Sequence, residues 1–388
     1  MRWRTDPPIA PDLTEKSSTK SLIPRRKSSF GPVLVIHGGA GLLLRKNSSP
    51  AQIELYRDAL RKALIVGNAV LQSGGQAMDA AVAAVTSMED CPLFNSGHGA
   101  VFNVAGKNEL ESSIMLSHPP PSHPSVPASR KGFSLTLLTH AKNPSQMARA
   151  LYLEPDLAPH AFLSGEAAEQ LGAKVGQTLV DPSYYFTEHR WREHRRGLGL
   201  PEDPFPPGAP NPGEGSSYPP LDQLPTGTVG AVALDVNGHI ACCTSTGGKT
   251  NKLVGRVGDT PSMGSGFWAE SWTEPERGLW ARLLRMVGKN RRTEGAVGIS
   301  GTGDGDYFIR EATAVSLARR MQHQGQSLKD AADGVVEDLK QAGGMGGVIA
   351  LDNKGNVVMP LNSTGMYRGV IDSQGKPRVA VFDDDVLE

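Results

Sequence analysis

The chain has three cysteines in 388 residues, and two of them, Cys242 and Cys243, are adjacent. No disulfide framework can be built from that set, and it fits a reducing compartment. Net charge is also missing: 40 basic side chains cancel 40 acidic ones. Gross electrostatics therefore point to neither a nucleic-acid nor a membrane partner. Long apolar runs are absent, none approaching the roughly 18 residues of a membrane helix. The N-terminus lacks the apolar centre of a secretory signal. A cytoplasmic, soluble protein is the expectation. What the chain does have is 45 glycines and 29 prolines beside 38% apolar residues. Ordered parts should therefore alternate with segments that bury little.

Residues 1–30 are rich in Ser, Pro, Lys and Arg without periodicity and read as a disordered tail. Order should begin at Pro32–Ile36, a short buried strand ending in the loop HGGAG. Helical spacing runs over 52–71, and a small-residue helix over 77–88 implies burial between layers. Strands are expected at 109–116 and 133–139, with a helix over 145–151. The stretch 117–131 reads as a surface insertion, 271–293 as a second one, and about 184–227 as a flexible linker. Its basic patch HRWREHRR reads as a solvated face. Strand hairpins alternating with helical blocks predict an α+β fold with antiparallel sheets covered by helices on their outer faces.

The segment LPTGTVGAVALDVNGHIACCTSTGG, residues 224–248, carries the chemistry. An apolar strand turns at Asp235–Gly238 and returns. A tip between Val236 and Gly238 sets Thr228 opposite residues 245–247, a window that contains Thr246. Paired threonines are common in sheets, so the pair alone leaves the choice between packing and catalysis open. The junction adds to it. A threonine that is also a chain N-terminus is a strong nucleophile, because its own α-amine serves as general base. That amine has an unperturbed pKa of about 8, suited to work near neutral pH. Cleavage between Gly227 and Thr228 would create this terminus. The Thr228 hydroxyl would attack the Gly227 carbonyl in an N-to-O acyl shift, with the linker trailing away upstream.

VIHGGAG, MEDCPLFNSGHGAVFN, ELESSIM, TGTVGAVALD, TSTGGKTNKLVGRVGDTP, GTGDGDYFIR and GMGGVIALD occur in this order. Together, from about Val33 to Gly369, they resemble the plant-type asparaginase/isoaspartyl peptidase family, whose members are self-processing N-terminal nucleophile hydrolases. The long insertions resemble fungal members. The resemblance implies a four-layer αββα sandwich over 31–369, cut into an α subunit (31–227) and a β subunit (228–388). It implies Thr228 as nucleophile, Thr246 as the second hydroxyl, and Thr302 with Gly303 as oxyanion stabilisers. Arg256 would clamp the substrate's α-carboxylate and Asp259 its α-ammonium, with Gly305 lining the site. Guanidinium offers a carboxylate a two-pronged fork, which fits that role. Asn95 would lie beside the nucleophile, in a strained geometry linked to processing.

The family also wraps a sodium ion in backbone carbonyls, here those of Met88, Glu89, Cys91, Phe94, Ser96 and His98. Catalysis itself would need no cofactor. The implied activity is hydrolysis of asparagine and β-aspartyl dipeptides, by a dimer of processed αβ heterodimers. Rival readings are a glycosylasparaginase-like enzyme, a threonine endopeptidase, or an uncleaved pseudoenzyme acting as a binding module. Residues 301–306 superficially suggest a dinucleotide loop, Cys91 near His98 a thiol nucleophile, and His37 a general base. His37 reads better as a loop residue near the processing site. Lys249, Asp304 and Asp306 depart from the family pattern in ways that bear on the leaving group.

Overall fold

A computed structural model describes residues 31–202, 204–206, 227–275 and 292–388. The tail expected at 1–30, residues 207–226 of the linker and 276–291 of the second insertion lie outside them. The strands are β1 (Val33–Gly41), β2 (Leu110–Leu116), β3 (Gly132–Leu138), β4 (Phe162–Ser164), β5 (Val229–Leu234) and β6 (Ile240–Thr246). They continue with β7 (Phe267–Pro275), β8 (Arg292–Gly303), β9 (Gly346–Asp352), β10 (Val357–Val358), β11 (Gly365–Ile371) and β12 (Arg378–Phe382). The helices are α1 (Pro50–Gln72), α2 (Ala77–Glu89), α3 (Pro144–Tyr152), α4 (Gly165–Lys174) and α5 (Glu188–Gly197). Further on come α6 (Gly305–Glu311), α7 (Thr313–Gln324) and α8 (Leu328–Gln341). No helix among the described residues is long and apolar enough to cross a membrane.

Two sheets form. One has the order β12-β11-β1-β5-β6-β2-β3-β4, the other β10-β9-β8-β7. Side chains alternate between the two faces of a strand, and here each face meets a different core. Leu34, Ile36 and Cys243 join one apolar cluster with Leu60, Leu64 and Val85 of α1 and α2. Val33, Val35 and Cys242 join another with Phe267, Ile349 and Leu351 of the second sheet. On that sheet's far side, Val297, Ile299 and Val348 pack against Leu317, Val335 and Leu339 of α7 and α8. Strands buried on both faces explain why their sequences are continuously apolar rather than alternating.

Local chemistry sets the boundaries. Ser49 caps α1 in a reciprocal box, accepting from the Gln52 N–H at 3.2 Å while its own N–H donates to Gln52 Oε1 at 2.9 Å. At the β5–β6 turn, Asp235 Oδ1 accepts from the N–H groups of Asn237 and His239, and Gly238 takes φ +79. Asp352 and Gly355 (φ +80) repeat this turn at β9–β10.

Three expectations need correction. The strand that opens the domain does not stop at Ile36, because β1 continues through HGGAG to Gly41, bulging between His37 and Gly39. The linker expected from 184 is not patternless at its start. Arg190, Trp191 and His194 of α5 are buried, and Arg190 Nε donates to the Gly99 carbonyl at 3.1 Å. The basic patch is thus an amphipathic helix docked on the loop after α2. Finally, 369 is too early an end for the ordered domain, since β11 pairs with β1 and β12 with β11.

Candidate active site

The β5–β6 ladder pairs Val229 with Ser245 and Ala231 with Cys243. One further step in the same register places Thr228 opposite Thr246, inside the window of 245–247 that the turn count gave. Across β6, Thr246 pairs with Glu111 of β2. Thr228, Thr246 and Glu111 therefore form a row across three neighbouring strands, on one sheet face. All three are buried, and Thr246 Oγ1 accepts from the Gly248 N–H at 3.0 Å.

The residue before Thr228 is tightly confined. A Cβ added to Gly227 would lie 2.2 Å from Gly39 Cα, and one added to Gly39 (φ +121) 2.8 Å from Gly227 Cα. Two backbones touch here, so both positions need glycine. In the continuous chain the Gly227–Thr228 peptide is held against the bulge of β1.

That bulge also aims His37. Its Nδ1 lies 2.9 Å from the Thr228 carbonyl oxygen and its Nε2 2.7 Å from Ser300 Oγ. Ser300 Oγ is in turn 3.0 Å from Thr244 Oγ1. Burial pushes the His37 pKa down to about 3, so the ring is neutral. A carbonyl only accepts, so Nδ1 carries the hydrogen and Nε2 accepts from Ser300, which accepts from Thr244. Every polar atom in the chain is thus assigned a role. His37 is neither a loop residue nor placed as a general base; it grips the backbone of Thr228.

Thr302 and Gly303 close the site from the second sheet. Thr302 Oγ1 accepts from the Ala40 N–H at 3.1 Å. Gly303 adopts φ +144, and a Cβ there would fall 2.2 Å from the Met345 carbonyl oxygen. Gly301–Gly303 belong to β8, which pairs antiparallel with β7 and β9, so the dinucleotide-loop reading lacks its βαβ setting.

Beyond Thr246 lies a charged cluster. Arg256 Nη2 donates to Asp306 Oδ1 at 3.0 Å. The spot a Gly305 Cβ would occupy is 2.3 Å from Asp259 Oδ1 and 3.2 Å from Arg256 Nη2. Arg256, Asp259 and Gly305 therefore converge. Asp259 is buried, and burial first, then the charge of Glu111, raise its pKa to about 7. Glu111 was passed over by the sequence reading, although an acid inside a strand of small and apolar residues was the available signal. Its Oε1 accepts from the Gly258 N–H at 2.8 Å and from Thr136 Oγ1 at 3.2 Å.

Asn95 holds the end of β6. Its side chain donates to the Gly248 carbonyl at 2.7 Å and accepts from the Val101 N–H, while its carbonyl accepts from Gly247. Its backbone is not left-handed; the non-glycine residues with positive φ are Leu137, Asn251 and Ala312 among those described. The surrounding loop packs several carbonyls against its glycines. Gly97 (φ +53) approaches the Glu89 oxygen, and Gly99 (φ +120) those of Pro92 and Phe94. Already engaged are Met88 and Cys91, whose carbonyls accept from Cys91 and Phe94, and Glu89, whose carbonyl accepts from His98. Ser96 Oγ meets Ser245 Oγ at 2.7 Å, and His98 Nδ1 donates to the Tyr184 carbonyl at 2.7 Å. Cys91 is part-buried with a raised pKa caused by burial, the opposite of an activated thiol. It borders a groove of about 850 Å³ along α1 and α2 whose lining includes neither Thr228 nor Thr246.

A family model described as Asparaginase matches residues 30–273 and 292–381. An isoaspartyl peptidase of Escherichia coli (strain K12) is 35% identical over 342 residues, which cover 87% of this chain and 91% of the bacterial one. A putative isoaspartyl peptidase/L-asparaginase of Dictyostelium discoideum is 34% identical, covering 87% and 93%. A probable isoaspartyl peptidase/L-asparaginase 2 of Arabidopsis thaliana is 30% identical, covering 91% and 99%. Matched along most of its length to this family and these relatives, the chain belongs to the asparaginase family.

Proposed function

We infer that the protein is a self-processing threonine amidohydrolase acting on L-asparagine and β-aspartyl dipeptides, on a four-layer αββα sandwich. The observation that carries this is Thr228 set opposite Thr246 at the open end of one hairpin, with the Arg256–Asp259 cluster joined to it through Glu111 and the Gly227–Thr228 peptide held against Gly39. Relatives named isoaspartyl peptidase/L-asparaginase support the substrate class.

In maturation, Thr228 Oγ attacks the Gly227 carbonyl carbon and the C–N bond breaks. The resulting ester takes up water, leaving a Gly227 carboxylate and a free Thr228 amine. In turnover, that amine takes the Oγ proton while Oγ attacks the β-carbonyl of the substrate. Thr302 and the Gly303 backbone would stabilise the oxyanion, an interaction typically worth about 10²–10³ in rate. Ammonia or a peptide amine leaves with the proton, and water hydrolyses the Thr228 ester. Arg256 would fix the α-carboxylate and Asp259 the α-ammonium, so that only a free aspartyl head group is aligned for attack.

The Met88–His98 loop would hold a sodium ion through the carbonyls of Met88, Glu89, Cys91, Phe94, Ser96 and His98. Hard cations prefer oxygen donors, and of the carbonyls crowded at Gly97 and Gly99, those of Glu89 and Phe94 belong to that donor set. The ion would stiffen the loop bearing Asn95 without entering the reaction. The processed enzyme would work in the cytoplasm as a dimer of αβ heterodimers, with units 31–227 and 228–388. Mass spectrometry of the purified protein tests the reading together with asparagine and β-aspartyl dipeptide assays. Fragments meeting at Gly227/Thr228 and hydrolysis of both substrates are expected. An uncut chain that still hydrolyses them would overturn it.

A further inference from the structure

Glu111 lies within the proposed substrate site, yet no role has been given to it. Its carboxylate is fully buried, with one oxygen held by Gly258 and Thr136 and the other, Oε2, without a hydrogen-bond partner. Asp259, the residue after Gly258, is 5% exposed and its Oδ2 is likewise unpartnered. Two buried carboxylates, each with an unpartnered oxygen, are costly in one site unless a ligand completes them.

Their placement says what that ligand is. A Cβ on Gly258 would lie 2.8 Å from Glu111 Oε2 and 2.7 Å from Arg256 Nη1, so Glu111 flanks one edge of the guanidinium. Asp259 Oδ1 and Asp306 Oδ1 flank the other. One cation thus faces three carboxylates. Lys252 and Glu109 add one charge of each sign beside the cluster: Lys252, whose charge acts first on Glu111, donates Nζ to the Glu109 backbone carbonyl at 2.6 Å. Counting these groups, two cations stand against four carboxylates, so the cluster is short of positive charge.

The geometry points to Glu111 as a further binding residue: with Asp259 it forms a two-carboxylate cradle for the α-ammonium group of an amino-acid substrate. This rests on the proposed function and sharpens it, because selection for the ammonium then falls on a pair of residues rather than on Asp259 alone. Closely placed carboxylates titrate as a unit. Consistently, burial raises the pKa of Glu111, and Glu111 in turn raises that of Asp259. The empty cradle retains a proton near neutral pH and an arriving ammonium expels it.

Two measurements test this on the processed enzyme, after its turnover of asparagine has been established. Calorimetry in buffers of different ionisation enthalpy would follow binding of L-aspartate and of succinate, which lacks the ammonium. Aspartate should release about one proton per site more than succinate near pH 6.5, with the difference vanishing toward about pH 9. The Thr228 amine and Arg256 face both ligands alike and cancel. Second, in Glu111→Gln the KM for asparagine should rise roughly tenfold at about pH 8.5 while that for succinamic acid does not. The gap from wild type should close toward about pH 5.5, where the wild-type pair holds its proton. Glu111→Asp, which keeps the charge, should keep the pH dependence. Equal proton release with both ligands, or equal KM changes for both substrates, would refute the cradle while leaving the hydrolase itself intact.

Discussion

Replacing Gly230 by alanine is a severe test of the chain of contacts that holds Thr228. A Cβ at this position would lie 2.1 Å from Ser300 Oγ and 2.4 Å from His37 Nε2, against the 3.4 Å at which ordinary contact begins. Both groups are fully buried, and a close-packed interior leaves little room to retreat. Overpacking of this kind costs about 1–3 kcal/mol. Driving the pair beyond 2.7 Å also leaves the His37 acceptor unsatisfied, at about 1–3 kcal/mol. The expected destabilisation is therefore about 2–6 kcal/mol. Urea denaturation should be run in a Thr228→Ala background, where every molecule remains a single chain. In the native background, time courses on denaturing gels should show self-cleavage slowed by roughly a hundredfold, since Thr228 loses its positioning contact. Ser300→Ala removes the atom struck first, so the double variant should recover about 1–2 kcal/mol relative to the sum of the single changes. Strict additivity, or a Gly230→Ala protein as stable as its parent, would refute the reasoning.

Other expectations follow from the same geometry. Asp259 has a pKa of about 7 in the folded chain against 3.8 ordinarily. The native state therefore holds the extra proton between those values, and stability declines as pH rises through that window. Asp259→Asn removes the decline, so its urea midpoint should gain on the wild type from about pH 4 to about pH 8. Gly303→Ala combines φ +144 with a Cβ 2.2 Å from a backbone oxygen; a loss of roughly 3–5 kcal/mol is expected in urea melts. Arg256→Lys keeps the charge but loses the fork, and should raise KM for asparagine about tenfold or more with kcat little changed. Steady-state kinetics would show it.

The threonine pair of this site was legible in the sequence because local rules fix it, whereas its other residues were named only through the family resemblance. The Asp–Gly turn sets the hairpin register, and the register alone brings Thr246 to Thr228. Helices α1 and α2 were visible as periodic runs, with boundaries close to those found. What escaped depends on distant neighbours. HGGAG looks like a loop because glycines usually break strands, yet here they let β1 approach Gly227. Helix α5 is almost wholly charged or aromatic, and only the Gly99 carbonyl and the Phe102–Phe186–Trp191 cluster reveal its inner face. Glu111 reads as an odd acid in a strand until Gly258, 147 positions away, closes on it. Neither the conformation of the Met88–His98 carbonyls nor the tautomer of His37 leaves any mark on residue identity.

The strand order of the larger sheet has a consequence for what a cut at Gly227 would produce. β1 precedes the cut, yet both its neighbours, β11 and β5, follow it; β6 follows the cut and bonds to β2, which precedes it. The two halves are woven through one another rather than docked side by side. They could not part without tearing several ladders of a buried sheet, so cleavage would yield two polypeptides but still a single cooperative body. Mixing isotopically labelled and unlabelled enzyme should then give no hybrid pairing of halves until the whole domain unfolds, and genes encoding the halves separately would have to rely on co-folding rather than on association of finished parts.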